Sequence, residues 1–411
     1  MSRPHRIPIP RNGVDYRGKV VLAPMVRSGE LPSRLLALKY GADLVWGPET
    51  VDKSMIGTTR RINPVTSTID FTRTPSNPQR AQPDVQKESL IYRIHPGREA
   101  DRLIFQIGTA SPETAVEAAK LVAGDVAGID VNAGCPKPFS TSGGMGAALL
   151  QDPDRLAAIL TALVKEIGLP HEIGISVKIR LLETPECTEA LVRMLCATGI
   201  TGLTIHCRTT PMRPREKAIR EQLRMIGDIC RETGVACLMN GDVKDRAEAL
   251  ELAKEYGVDG AMIATSAESN SSCFRSQDEG GLLPWREVVN EYVKIALEVE
   301  NKWGNTKFLL AQLMPGKAEV SRQISSCKGY RQVCEVLQLS DLVDMAQDVD
   351  KRLGINEDRM SKAMKKAKHN ECARAAGGKM TKQRVKDADA KTPLSQRGIG
   401  KGKAQQAPMA V

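Results

Sequence analysis

A cysteine at position 135 stands between Gly134 and Pro136 in the string GIDVNAGCPKPFSTSGGMGAALL, residues 128–150. The apolar run before it ends at Asn132, and Ser140, Thr141, Ser142, Gly143 and Gly144 follow it. Packing as a small apolar residue is the commoner fate of a cysteine. Three features point elsewhere. Cys135 lies beyond a strand end, its neighbours fix the backbone locally, and the later glycines allow a ligand or a second backbone to come close. No His is near in sequence to act as an activating base, so a papain-like dyad has little support. A thiol that serves as a proton donor has only to stay protonated near neutral pH, as an ordinary cysteine does.

Other residues carry chemistry at similar places. Lys178 sits inside the apolar string ISVKIR, where a buried charge costs several kcal/mol unless it is paired. An anion or a polarised ring would supply the partner. His206 ends the run GLTIH. A lone His is more often structural, but the end of a strand favours a ligand contact. NGDV at 240–243 and ATSAESN at 264–270 each follow an apolar run. Loops of this kind bind phosphate through backbone N–H groups. One glycine after a strand is a weak sign; two adjacent loops are a better one.

Eight short apolar runs must position these residues: 19–24, 42–46, 103–108, 128–132, 174–180, 202–206, 235–240 and 259–264. Each suits a strand buried on both faces. Helical spacing lies between most of them, over 31–40, 112–122, 152–167, 186–197, 215–233 and 244–256. Eight strand–helix units predict a (β/α)8 TIM barrel, with a doubly wound open sheet as the alternative. In such a barrel the C-terminal strand ends form the site. Here those ends hold Ala23, Pro24 and Met25; Gln106; Asn132 and Cys135; Lys178 and Arg180; His206 and Arg208; Asn240 and Gly241; Ala264 and Thr265.

Residues 57–101 break the repeat with five prolines and read as an insertion, a hairpin plus an irregular loop. From Trp285 the pattern turns helical, over 285–303, 307–314, 318–327 and 330–337, with Lys302, Lys307, Lys317, Arg322, Lys328 and Arg331 along it. This second, all-helical domain is either a plain cap or an RNA-gripping face. The division expected is an N-terminal extension over 1–18, the barrel over 19–280, the helical domain over 281–360 and a basic tail over 361–411.

The chain has 411 residues, 41% hydrophobic and 26% charged, with aromatics at only 3%, so the core must be mostly aliphatic. From position 361 onward stand 13 Lys and Arg against three acids, Glu371, Asp387 and Asp389, which equals the whole chain's formal charge of +10. That tail has almost no large apolar residues and reads as disordered, either solubilising or an electrostatic arm for nucleic acid. No apolar run approaches the roughly 18 residues of a membrane span, and the proline-broken N-terminus makes a poor transit helix. A reduced, intracellular, monomeric protein of the cytoplasm, or of the nucleus, is expected. Cysteine spacings match no zinc site, so no metal is expected.

The string VNAGCPKPFSTSGGMGAALL resembles the signature of the tRNA-dihydrouridine synthases, and LAPMV at 22–26, FQIGT at 105–109, VKIR at 177–180 and IHCR at 205–208 fall in that family's order. The similarity spans about residues 20–339, nearest to the eukaryotic branch acting on the D-loop uridine at position 20. The Cys-Pro-Lys segment is highly specific and the others are supportive. The resemblance implies FMN across the barrel mouth, with Ala23, Pro24 and Met25 along its edge and Gln106 and Lys178 at the polar side of its ring. His206 is implied as a ring or phosphate contact, and Asn240, Gly241, Asp242, Ala264 and Thr265 as the phosphate loops. It further implies NADPH as reductant, with NADH possible, hydride passing from flavin N5 to C6 of uracil, and Cys135 protonating C5 from the opposite face. Asn132 and Lys137 are implied to orient flavin and uracil, and Arg180 and Arg208 to hold substrate oxygens or phosphates. Side chains do not transfer hydride, which agrees with a cofactor. The partner implied is tRNA, with its uridine extruded from the stack.

The sequence departs from that pattern in places. Thr265 stands where the family usually has a phosphate-binding Arg, and Cys207 where Gly is common. No double-stranded-RNA-binding pattern appears after position 360. Two other readings fit the same residues: a flavin barrel that reduces a free pyrimidine, as dihydroorotate dehydrogenases do, and a tRNA binder without catalysis.

Overall fold

A computed structural model describes residues 6–74, 88–316 and 319–355. Eight parallel strands close on themselves: β1 (Lys19–Leu22), β2 (Leu44–Trp46), β7 (Leu103–Gly108), β8 (Gly128–Ala133), β9 (Gly174–Arg180), β10 (Gly202–His206), β11 (Ala236–Asn240) and β12 (Gly260–Ile263). Each strand pairs with the next. β12 pairs with β1, and β2 pairs with β7 across the insertion, so the barrel has no open edge. The doubly wound sheet is thereby excluded.

The outer layer of helices follows the expected order. Pro112–Val122, Pro153–Leu163 and Pro185–Cys196 begin with proline behind a capping Ser111, Asp152 or Thr184 whose side chain accepts a backbone N–H. Such a start fixes the first turn and satisfies one of its free donors. The apolar faces of these helices pack on the outward-facing strand residues in one continuous aliphatic core.

Inside the barrel the filling is different. Tyr16, from the segment ahead of β1, packs with Val21, Leu44, Trp46, Ile104, Leu238 and Met262. Its ring fits because β10 begins with glycine: a Cβ on Gly202 would lie 2.7 Å from it. The N-terminal extension therefore plugs the bottom of the barrel.

Three expectations need correction. The insertion contains the expected hairpin, β4 (Thr59–Asn63) and β5 (Thr68–Arg73), but adds an unexpected third antiparallel strand, β6 (Ser89–Ile94), with 75–87, between β5 and β6, outside the described residues. Its Phe71, Tyr92 and Ile94 are buried, and Tyr92 meets Phe105 of the barrel edge-on at 4.9 Å. A two-residue strand, β3 (Thr50–Val51), pairs beside β7. The helix expected over 215–233 begins only at Leu223, because the preceding loop folds over the end of β10 and gives its carbonyls to Arg208. The helix expected over 285–303 ends at Glu298, and a second runs Trp303–Leu313. Glu300, at φ +46°, turns the chain, and Asn301 donates to Thr306 Oγ1 at 2.9 Å.

Glu319–Ser326, Tyr330–Leu337 and a further helix, Val343–Arg352, complete the array. It meets the first barrel helix and the insertion through Lys39–Glu291 and Arg98–Glu298 ion pairs. The tail over 361–411, Lys317, and Pro75, Pro78 and Pro83 lie outside the described residues.

Candidate active site

The strand ends meet at a cavity of about 450 Å³. Ala23, Pro24, Met25, Gln106, Asn132, Cys135, Lys137, Lys178, Arg180, His206, Asn240, Ala264 and Thr265 all line it. Arg208, Gly241 and Asp242 line an adjoining pocket that shares Arg180, His206, Asn240, Ala264 and Thr265 with the first. Residues scattered over 240 positions thus converge because the barrel puts every strand's end on one rim.

The thiol is held by its own loop. Asn132 Oδ1 accepts from the N–H of Gly134 at 3.0 Å and of Cys135 at 3.1 Å, turning the chain sharply after β8. Arg180 Nε donates to Gly134 O at 2.7 Å. The Ala147 N–H donates to Cys135 O at 2.9 Å. Gly146 makes that closure possible: at φ +57° its missing Cβ would lie 2.6 Å from Cys135 O. Cys135 is half-buried, and burial, then the nearby Glu49, push its thiol above the ordinary value. It therefore stays protonated at neutral pH.

Below it lies a polar floor. Asp130 is fully buried and accepts from Gln106 Nε2 at 2.8 Å and from Ser176 Oγ at 2.7 Å. Burial raises its carboxyl to about 6. Because the Gln106 NH2 faces down to Asp130, its amide oxygen is left for the cavity. Lys178 makes no hydrogen bond or salt bridge among the described residues. Burial, then the positive Arg180, lower its ammonium to about 8. His206 is pushed far below its ordinary value by burial and by the cations Lys178, Arg180 and Arg208, so its imidazole is neutral.

The arginines and Asp242 are more committed than the sequence implied. Arg180 Nη1 donates to Thr209 O at 2.9 Å. Arg208 spends its donors on Glu216 O at 2.7 Å, Pro214 O at 3.1 Å and Asp242 Oδ1 at 2.6 Å, with Nη1 3.3 Å from His206 Nε2. Asp242 also accepts from the Ala218 N–H at 2.7 Å. These residues therefore contribute charge and shape, and the Asp242 carbonyl is itself taken by Arg220 Nη2 at 2.8 Å. Gly241, at φ +123°, leaves open the space between Ala218, Arg208 and His206 that a Cβ would enter at 3.3–3.5 Å. Lys137 is exposed at the entrance.

Sequence reasoning missed Glu49, Glu268 and Phe308, which also line the cavity. Glu49 follows β2 and was findable by reading the second strand's end as the others were read. Phe308 comes from the helix Trp303–Leu313 and takes Arg27 over its ring at 4.3 Å. No local signal in the sequence brings it to the rim. Cys207 is buried, with Sγ 3.8 Å from Ile205 O.

A closed parallel barrel with its polar groups gathered at the strand C-termini defines a (β/α)8 enzyme. The Dus profile, dihydrouridine synthase, matches residues 21–351, and the chain belongs to that family. The chain is 51% identical over 331 residues to the tRNA-dihydrouridine(20) synthase [NAD(P)+] of Schizosaccharomyces pombe, across 79% of this chain and 66% of that protein. It is 45% identical over 336 residues to the protein of the same name from Saccharomyces cerevisiae, across 80% of this chain and 85% of that one. Among solved structures, DHODH from Eimeria tenella matches with a TM-score of 0.38 at 16% identity, over 60% of this chain and 76% of that one.

Proposed function

We propose that this chain reduces the C5=C6 bond of a D-loop uridine, at position 20, in tRNA, with FMN as resident cofactor and NADPH, or NADH, as reductant. One observation carries the reading: an unpaired lysine on the barrel floor and a protonated thiol on a loop face the same cavity, in a family of dihydrouridine synthases.

The residues suit such a cofactor. Lys178 lacks a partner among the described residues, and a flavin's polar edge would give it one. The Gln106 oxygen is aimed upward by Asp130, ready to accept from a ring N–H. Lys178, Arg180 and Arg208 surround His206 with positive charge, and Gly241 leaves room beside them, as a phosphate requires. Asn240, Ala264 and Thr265 complete that end. A reduced flavin held by these residues would supply hydride to C6 of the uracil.

Cys135 then gives its proton to C5. Asn132 and Arg180 hold the loop so that Sγ faces the pocket, and Lys137 meets the substrate at the entrance. The target base leaves its stack to enter. The tRNA is positioned by phosphate contacts from the helical array. Lys307 Nζ donates to Cys327 O at 2.9 Å, and Arg322 and Arg331 pair with Glu319 and Glu335, which leaves Lys302 and Lys328 as the better candidates. No helix among the described residues is long and apolar enough to cross a membrane. The expected setting is the cytoplasm or nucleus, where tRNA is modified.

The deciding experiment incubates the purified protein with unmodified tRNA and NADPH and maps dihydrouridine by position. Its appearance at position 20 is expected. A yellow, NADPH-reducible protein that leaves tRNA unchanged overturns the substrate assignment. Removing 361–411 should weaken tRNA binding and flatten its salt dependence by several of the charges lost; an unchanged slope makes the tail a bystander.

A further inference from the structure

Glu49 is a cavity residue for which the chemistry above has no use. It stands between β2 and β3. Its Oε1 accepts from Ser140 Oγ at 2.9 Å, and Ser140 is fully buried in the Cys135 loop. Glu49 and Cys135 line the same cavity, and the carboxyl group is near enough to push the thiol's value up. Oε2 is buried without a partner, and Glu49 makes no salt bridge among the described residues. Space is reserved for it: β7 ends in Gly108, where a Cβ would lie 2.5 Å from Glu49 Oε1.

A carboxylate beside a thiol disfavours the thiolate, because a second negative charge would then share the cavity. We propose that Glu49 is a positioning residue for the acid: it keeps the proton on Cys135 Sγ and, through Ser140, anchors the loop that presents it. The inference rests on Cys135 being the proton donor. The other charged groups facing Sγ are Lys137 from its own loop and Arg180 and Lys178 from β9, all cations that favour the thiolate. Glu49 is the anion that opposes them. Burial raises the Glu49 carboxyl as well, and Lys137 is the cation that works against this.

The test reads the thiol directly, in the full chain without tRNA or NADPH. Alkylation by iodoacetamide is followed from roughly pH 6 to 10 by mass spectrometry of the peptide carrying Cys135, so that exposed Cys187 does not interfere. In Glu49→Gln the midpoint should fall and the rate at neutral pH rise about tenfold. Ser140→Ala, which loosens the loop but keeps the charge, should leave the midpoint near wild type, and Glu49→Asp should lie between. An unchanged midpoint in Glu49→Gln overturns the proposal. So does an equal fall in Ser140→Ala, since loop anchoring would then explain everything. If Glu49→Gln does not fold, Glu49→Asp against Ser140→Ala makes the same comparison. Normal dihydrouridine formation by Cys135→Ala would instead sink the donor role of Cys135, whatever the alkylation shows.

Discussion

The two halves of the barrel mouth are built differently. Lys178, His206, Asn240 and Gly241 stand on or directly beyond β9, β10 and β11, so the barrel itself fixes them. Cys135, Lys137 and Ser140 stand on a loop, held by hydrogen bonds to Asn132, Arg180 and Glu49. The strand half is cationic and keeps its histidine neutral. The loop half holds a carboxylate and a thiol whose proton is retained. A stiff positive floor suits an anionic cofactor that stays bound through many turnovers. A loop that carries acid suits a substrate that comes and goes.

Three substitutions bear on that contrast. The largest effect should come from the loop half. Cys135→Ala should keep flavin, since the floor is untouched, yet lose about 100-fold or more of turnover, the usual worth of a general acid. Flavin absorbance and dihydrouridine yield measure the two separately, and loss of both together would erase the division.

Lys178→Met acts on the floor. The folded-state value of Lys178, about 8, lies below its ordinary 10.5. Burying it therefore costs stability in full below about pH 8, and the cost fades as pH rises towards 10.5. In flavin-free protein the variant should be more stable at neutral pH, by at most about 3 kcal/mol, and should lose that advantage by about pH 10. It should also retain FMN about tenfold less well, because an ammonium's charge-assisted contact is gone. Thermal melts across pH and fluorescence titration with FMN check both. A destabilised flavin-free variant would mean that Lys178 has a partner after all.

The smallest effect should come from Thr265→Arg. A further cation beside Arg180, Arg208 and Lys178 adds to a field already positive, so FMN should bind only about threefold more tightly. Weaker binding would show that the phosphate end has no room for the side chain.

Much of the fold could be read locally. Strands buried on both faces leave continuous apolar runs, and each of the eight runs became a barrel strand. Helices showed in their apolar spacing over 112–122, 152–167 and 186–197, and the fold starts each behind a Ser111-Pro112, Asp152-Pro153 or Thr184-Pro185 cap. Reading failed where distant groups decide the conformation. Residues 215–222 have helical spacing, but Arg208 binds the carbonyls of Pro214 and Glu216, and the Ile219 N–H donates to Cys207 O. Ser89–Ile94 alternates well enough for a strand, yet only its pairing with Thr68–Arg73 makes it one.

The sequence by itself determined the strand ends and therefore most of the rim, because a parallel barrel sends every strand's C-terminus to one face. It also determined the family, through residues 128–150. Tertiary structure alone decided which polar groups are satisfied and which are left over. Arg208, implied as a substrate contact, is engaged by Glu216, Pro214, His206 and Asp242 in the fold, whereas among the described residues Lys178 makes no hydrogen bond or salt bridge and Glu49 Oε2 is buried without a partner. Charge and hydrogen-bonding capacity belong to a residue, but whether they are spent depends on neighbours brought in from elsewhere in the chain.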